Sequence, residues 1–148
     1  WSGYIGTQYR IRVRPTLGTV TTGQYALNIY CGANVASPTP TPTAFSTPLP
    51  TLSAGISDTC ALPKGLGCSS TLYASIDNAT ATDPDSLVDG FADQWFYING
   101  PGASVTATTC NSFTNFDTTV EVYSGACGSL SKLASNDNAA CASSALAS

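Results

Sequence analysis

The chain has 148 residues, enough for one domain of ordinary size, and carries a net charge of −4. Only 9% of its residues are charged, and this shortage of basic side chains argues against a nucleic-acid-binding protein. The sequence has no histidine, and no apolar stretch approaches the length of a membrane span. Six cysteines in so polar a chain indicate an oxidising, extracellular environment, and none of them has the CxxC spacing of a zinc site.

Residues 1–34 contain two alternating segments that predict β-strands. Residues 9–14 alternate apolar and charged side chains, which predicts a half-buried strand whose three arginines face away from the core. Residues 23–31 alternate again, and Pro15 and Gly18 lie in the polar turn between the two segments. Two such strands joined by a short turn predict an antiparallel hairpin. Because a hairpin alone is barely stable in water, we expect this one to dock on another sheet.

Residues 35–52 are predicted to form an extended linker. Proline and threonine or serine alternate strictly over residues 37–43, a pattern that excludes a helix or a central strand and favours a polyproline II rod. Residues 37–52 would then span roughly 50 Å at about 3.1 Å per residue. Threonine beside proline is also typical of O-glycosylated stalks, with a bare spacer as the alternative. The candidate O-glycosylation sites are Ser37, Thr39, Thr41, Thr43, Ser46, Thr47 and Thr51.

Residues 53–148 contain several short segments with strand patterns, separated by turns rich in Gly, Pro, Asn and Asp. The predicted strands cover residues 72–76, 94–99, 103–110, 118–123 and 130–134. No segment has the periodicity of a helix. Short strands at regular spacing predict an all-β protein, and we expect an antiparallel β-sandwich.

Residues 115–130, with the sequence NFDTTVEVYSGACGSL, resemble the core of the bacterial pre-peptidase C-terminal (PPC-like) β-sandwich. Two amino-terminal stretches, GTQYRIRV at residues 6–13 and GQYALNI at residues 23–29, resemble the hairpin that ends the domain in that family. Further similarities lie at residues 58–60, 93–96, 134–138 and 143–146. The resemblance implies a cyclically permuted order, because the last hairpin of the family comes first in this chain.

The permuted order predicts a module in which strands from one copy of the chain can complete the sandwich of another copy. With the tail placed before Trp1, the junction reads SSALAS-WSGYIG, a continuous strand, turn and strand. Residues 1–34 either fold back on residues 53–148 or complete the sandwich of an adjacent unit. The adjacent unit is then a covalent tandem repeat or a separate chain that receives a donated hairpin. A contact of this kind between units does not close on itself and generates a filament. The alternative to such a polymer is a permuted monomer or a truncated chain.

The cysteines are expected to form three disulfides, each of about 2–4 kcal/mol. One predicted bridge closes a small loop, one joins the two flanks of a strand and turn, and one joins two strand ends. Six cysteines allow about 15 connectivities, so the spacing alone does not exclude others. The expected pairs are Cys60–Cys68, Cys127–Cys141 and Cys31–Cys110.

Few residues are candidates for modification or ligand binding. Asn78 begins an N-x-[ST] sequon and is the candidate N-glycosylation site. The Asx-rich residues 83–89 and 136–138 carry oxygen ligands that suit Ca²⁺, but they lack EF-hand spacing and fit turns better. Trp95 and Tyr97 share one face of a strand and could stack on a sugar, but core packing is the better interpretation for at least one face of that strand. We expect covalent glycans and no cofactor or metal.

The sequence predicts a protein that is not an enzyme. A chain without histidine cannot form a Ser-His-Asp or Cys-His site, and no two acidic residues have the context of a glycosidase pair. The leading hypothesis is a structural subunit of an extracellular glycosylated filament whose partners are copies of itself. The alternatives are a non-catalytic PPC-like accessory module of a secreted protein and a carbohydrate-binding adhesin. All three predict a secreted or cell-surface location.

Overall fold

The computed structural model describes residues 1–16, 22–32, 58–77, 79, 92–138 and 141. The predicted linker lies outside these residues, as do Asn78, residues 83–89 and all seven candidate O-glycosylation sites. Within the described residues the chain is all-β and contains no helix. The strands are β1 (Gln8–Pro15), β2 (Gln24–Cys31), β3 (Lys64–Gly65), β4 (Ser70–Ser75), β5 (Gln94–Asn99), β6 (Val105–Thr108), β7 (Thr118–Ser124) and β8 (Ser131–Asn136).

The strands form two sheets that pack as a sandwich, which confirms the predicted fold class. The larger sheet has the order β3-β5-β1-β7-β8 and the smaller sheet the order β4-β2-β6. All neighbouring strands are antiparallel except the short β3, which runs parallel to β5. In the larger sheet Ile11 lies opposite both Phe96 and Val122, so β1 is paired on both of its edges.

The predicted hairpin of β1 with β2 is wrong, because the two strands belong to different sheets. β1 is the central strand of the larger sheet and β2 is the central strand of the smaller one. Their apolar rows, which include Ile11 on β1 and Leu27 on β2, belong to the same core between the sheets. A hairpin would place both rows side by side in one sheet. Crossing from one sheet to the other lets each row be covered by the opposite layer.

The main core lies between the two sheets and draws on both central strands. The residues from these strands are Tyr9, Ile11, Val13, Tyr25, Leu27 and Ile29. Each is at most 2% exposed. Tyr25 meets Phe116 edge to face, with 6.1 Å between ring centroids. Burying each large side chain of this kind stabilises the fold by about 1.5–3 kcal/mol, so the two central strands account for much of the core.

A second, smaller cluster covers the outer face of the larger sheet. Trp95 and Tyr123 pack there with their ring centroids 5.7 Å apart, and Cys60 is buried against them. The larger sheet is therefore buried on both faces around β5 and β7, which explains why most residues of these strands are buried. Alternation alone cannot indicate such a strand, because both of its faces are apolar or covered.

The disulfide pairing differs from all three expected pairs. The structure joins Cys31 to Cys68, Cys60 to Cys127, and Cys110 to Cys141. All six cysteines of the chain are therefore paired. The expected pairs Cys60–Cys68, Cys127–Cys141 and Cys31–Cys110 were drawn from closeness along the chain or from strand ends. Strand pairing decides the outcome instead.

Each bridge follows from the strand that precedes or follows its cysteine. Cys31 ends β2, and the antiparallel neighbour β4 begins just after Cys68, so their Cα atoms lie 5.4 Å apart. The Cys60–Cys127 bridge crosses the outer face of the larger sheet, where the Nε of Arg10 donates to the carbonyl of Cys60 at 3.3 Å. These two bridges join segments that are 37 and 67 residues apart in the sequence.

Candidate functional site

Arg12 lies at the centre of a buried charged cluster on the outer face of the larger sheet. Its side chain is 2% exposed and is ion-paired with the fully buried Asp93. Its Nη1 donates to Oε2 of Glu121 at 3.2 Å, and the guanidinium lies 5.7 Å from the centroid of the Trp95 ring. The prediction that the arginines of β1 face away from the core gives the direction of Arg12 correctly, but its side chain is buried and not exposed to solvent. It lies over the ring of Trp95, which packs with Cys60 and Tyr123 on this face of the sheet.

Glu121 is the carboxylate that forms ion pairs with the cations of this cluster. It accepts a hydrogen bond from Nζ of Lys132 at 2.5 Å and one from the hydroxyl of Tyr123 at 2.8 Å. Burial acts to raise the pKa of Glu121, but these two hydrogen bonds and the charge of Arg14 outweigh it and hold the pKa below the ordinary value of 4.5. Burial, reinforced by Glu121, raises the pKa of Tyr123 above its ordinary value. The cluster therefore holds its paired charges in fixed positions.

The aromatic residues proposed for sugar stacking occupy different environments. Trp95 is 0% exposed, so the interpretation of Trp95 as a sugar-stacking residue is wrong and its packing alternative holds. Phe96 lies in the main core, on the opposite side of β5 from Trp95, as the alternation predicts. Tyr97 is half-buried and lies against Gly65 of β3. Trp95 is buried because its strand lies beneath the Cys60 loop, which the local sequence does not reveal.

The Asx residues that follow β8 bond to one another. The main-chain N–H of Asn138 donates to Oδ1 of Asn136 at 3.2 Å, and its side-chain amide donates to Oδ1 of Asp137 at 2.8 Å. This is the local hydrogen bonding of a turn. No group of three or more metal-ligating side chains is found among the described residues.

The edge strand β8 is an exposed main-chain edge of the described fold. All six of its residues are exposed, and it pairs with β7 on one side only. It contains no proline, and its one charged residue, Lys132, is bonded to Glu121. Natural edge strands are usually protected by prolines, charges or covering loops. The other side of β8 therefore presents N–H and C=O groups that another strand can pair with.

A shallow aromatic pocket lies next to β8. It has a volume of about 390 Å³ and is lined by Trp1, Tyr4, Tyr9 and Leu133, among others. Tyr4 is 74% exposed and Leu133 is 46% exposed, so this is an apolar surface open to solvent. Sequence reasoning missed it because residues 1–7 show no alternation. The only signal was the density of aromatic residues at the start of the chain.

In the described part of the chain, no helix is long and apolar enough to cross a membrane. Comparisons with protein-family models, curated proteins and solved structures find no match for this chain. The resemblance to PPC-like domains therefore stays a prediction.

Proposed function

We propose that this protein is a structural subunit of an extracellular glycosylated filament and joins head to tail with copies of itself. The observation that carries the proposal is the position of β1 and β2. They are the central strands of the two sheets, yet the backbone connects them to the rest of the fold only through residues 33–57. The same two strands from an adjacent copy have the same sequence and can make the same contacts. Exchange of this kind preserves the fold and links the units.

The central strands make this link a strong one. Without β1 the larger sheet separates into the pairs β3-β5 and β7-β8, and without β2 the smaller sheet loses both of its contacts. The six large apolar side chains that the two strands bury are worth about 1.5–3 kcal/mol each. A sandwich that lacks these strands therefore has a strong drive to accept them from whichever copy presents them.

The sequence of residues 33–57 favours delivery to a neighbour. Its proline and threonine run predicts a stiff rod of roughly 50 Å over residues 37–52. A strand of eight residues is only about 27 Å long. A segment with this sequence pattern would be long enough to carry the chain to an adjacent unit. The threonines of the rod are the candidate sites for the glycan coat of the filament.

The disulfide Cys31–Cys68 provides the decisive experiment. Among the described residues it is the one bridge that joins residues 1–32 to the remainder of the fold. When separate chains exchange β1 and β2, this bridge becomes intermolecular. Denaturing electrophoresis of native material without reductant should then give a ladder of multimers, and reductant should collapse the ladder to the monomer. A covalent tandem repeat stays large in both conditions.

Electron microscopy of the same material supplies the second measurement. We expect filaments with one sandwich per repeat. The variant Cys31→Ser/Cys68→Ser is the matched control, because it should lose the ladder and keep the filaments. Monodisperse single sandwiches in the micrographs, together with a monomer band in both gels, would contradict the proposal.

The aromatic pocket supports a second candidate function, a non-catalytic carbohydrate-binding module of a secreted protein. Aromatic rings on a pocket of this size suit the apolar faces of sugars. Tyr4→Ala should then abolish binding on a glycan array. Leu62→Ala is the matched control, because Leu62 is 78% exposed and does not line the pocket. Equal binding by both variants, or no binding by the parent, argues against this candidate.

A further inference from the structure

The disulfide between Cys31 and Cys68 contains the one exposed cysteine of the chain. Cys68 is exposed, whereas the other five cysteines are buried or half-buried. It lies in a turn between β3 and β4, and a Cβ on the preceding Gly67 would meet no atom within 4 Å. Cys60, by contrast, is 0% exposed and packs against two aromatic rings. A dissolved thiol can therefore approach the sulfur of Cys68, whereas it can approach the Cys60–Cys127 bridge only through the half-buried Cys127.

The residue that follows Cys68 has a strained backbone. Ser69 has a φ of +55°, and every other described residue with a positive φ is a glycine. A side chain is disfavoured in this left-handed region, because its Cβ comes too close to the main chain. Such a conformation persists only where the surrounding structure imposes it. The turn at Cys68 therefore stores strain next to the exposed end of the disulfide.

The disulfide is one of the two constraints that impose the conformation of Ser69. On one side of it, Ser70 pairs with Ile29 in the ladder between β4 and β2. On the other side, the bridge holds Cys68 beside Cys31, with 5.4 Å between their Cα atoms. Ser69 lies between these fixed points and turns the chain with a positive φ, a position that usually takes glycine or asparagine. When the bridge is broken, Cys68 is released and Ser69 can return to an ordinary φ. The strain at Ser69 therefore favours reduction of the bridge.

We propose that the Cys31–Cys68 bridge is a redox-sensitive lock on the carboxyl end of β2, opened by small-molecule thiols. A thiolate attacks the sulfur of Cys68 and forms a mixed disulfide, and Cys31 leaves as a thiolate that takes a proton from water. A second thiol attacks the mixed disulfide, which yields the free thiol of Cys68 and the disulfide-linked form of the reductant. The two electrons come from the two thiol molecules. Exposed or strained disulfides are the ones that thiols reduce most readily, and this bridge is both.

Opening the lock loosens one end of β2 and leaves the other end in place. The amide of Ile76 donates to the carbonyl of Gly23 at the amino end of β2, and the antiparallel register repeats this bonded pattern every two residues up to the pair of Ile29 with Ser70. That last pair lies next to the bridge, so it separates more often once the bridge is reduced. Among the described residues no other disulfide joins residues 1–32 to the remainder of the fold. The lock goes beyond the proposed filament, because it acts on β2 whether one chain or two supply the cysteines.

Stepwise reduction of the folded chain with glutathione at neutral pH tests the proposal. Free thiols are trapped by alkylation at successive times and located by peptide mapping. We expect Cys31 and Cys68 to be labelled at least about ten-fold faster than Cys60 and Cys127. Equal labelling rates, or faster labelling of Cys60 and Cys127, would overturn the proposal. The labelling reports on the bridge alone, so it can fail while the gel ladder and the filaments are observed, and the reverse.

The variant Ser69→Gly tests the contribution of strain. Glycine adopts a positive φ without cost, so the equilibrium constant for reducing the Cys31–Cys68 bridge with glutathione should fall at least about five-fold. Ser129→Gly is the matched control in the turn after Cys127, because Ser129 has no positive φ and its substitution should leave that constant unchanged. An unchanged constant in Ser69→Gly would show that strain does not drive the lock.

Hydrogen exchange tests what the lock holds. In the variant Cys31→Ser/Cys68→Ser, the amide of Ile29 should exchange at least about ten-fold faster than in the oxidised parent, since the end of β2 opens more often. Tyr25 is the control at the other end of the same ladder, where it pairs with Ala74, and its amide should exchange at the same rate in both proteins. Equal exchange of Ile29 in the two proteins would overturn the role of the bridge as a lock on β2.

Discussion

The buried cluster around Arg12 allows a sharp prediction for the variant Arg12→Met. Methionine keeps much of the aliphatic volume under Trp95 but removes the guanidinium that pairs with Asp93 and Glu121. Asp93 is 0% exposed and Glu121 is 2% exposed, so both carboxylates lose a cation at positions that water does not reach. The free energy of unfolding should therefore fall.

The magnitude follows from the burial of the pair. Removing one partner of a buried ion pair typically costs about 3–5 kcal/mol, because the opposite charge stays buried. Arg10→Met is the matched control on the same strand and the same face. Arg10 bonds to the carbonyl of Cys60 at 3.3 Å and to the exposed side chain of Gln8 at 2.7 Å. Losing such contacts should cost only about 1 kcal/mol.

Urea unfolding of both variants at neutral pH, followed by tryptophan fluorescence, measures the difference. The unfolding slope should match the parent within error, so that the shift of the midpoint reports stability. We expect Arg12→Met to lose at least about 2 kcal/mol more than Arg10→Met. Equal losses, or a loss below about 1 kcal/mol for Arg12→Met, would refute the claim that this cluster depends on its central cation.

Two further predictions concern acid stability and a close backbone contact. The folded protein holds the pKa of Glu121 below 4.5, so the stabilisation that its carboxylate provides is present above that pH and is lost as the pH falls further. In urea titrations between pH 5 and pH 3, Glu121→Gln should therefore lose stability less steeply than the parent protein. An unchanged slope would count against this role of Glu121. Gly100→Ala should lower the free energy of unfolding by about 1–3 kcal/mol, because the new Cβ would lie 2.0 Å from the carbonyl oxygen of Tyr4. Gly67→Ala is the control, since its Cβ would meet open space and thermal stability should change little. Similar melting temperatures for the two variants would contradict this prediction.

The strands could be located from the sequence, since alternation marks side-chain direction directly. The segment predicted at residues 94–99 coincides with β5, and those at residues 9–14 and 23–31 lie within one or two residues of β1 and β2. The two-residue β3 was missed, because it is too short to carry a pattern. What alternation cannot supply is the identity of a strand's neighbour. It therefore predicted a hairpin where the chain crosses between sheets.

The candidate sites could be predicted less well, for a related reason. The charge pattern of β1 indicated that Arg12 points away from the main core, and that direction is right. Its burial depends on Asp93, Glu121 and Trp95, which come from distant parts of the sequence. The burial of Trp95 and the actual disulfide pairs depend on the same kind of long-range contact. The exposed edge of β8 likewise follows from which strands remain unpaired, a property of the whole sheet.

The central position of β1 also affects when the protein can fold. Its partners lie in residues 94–99 and 118–124. The pairing of Pro15 with Thr118 therefore cannot form until roughly a hundred more residues have been synthesised. At about 5–20 residues per second, synthesis takes roughly 5–20 s to supply that partner. During this interval two apolar strands emerge with neither sheet available to receive them. The order of synthesis thus leaves β1 and β2 without their sheet partners until most of the chain has been made.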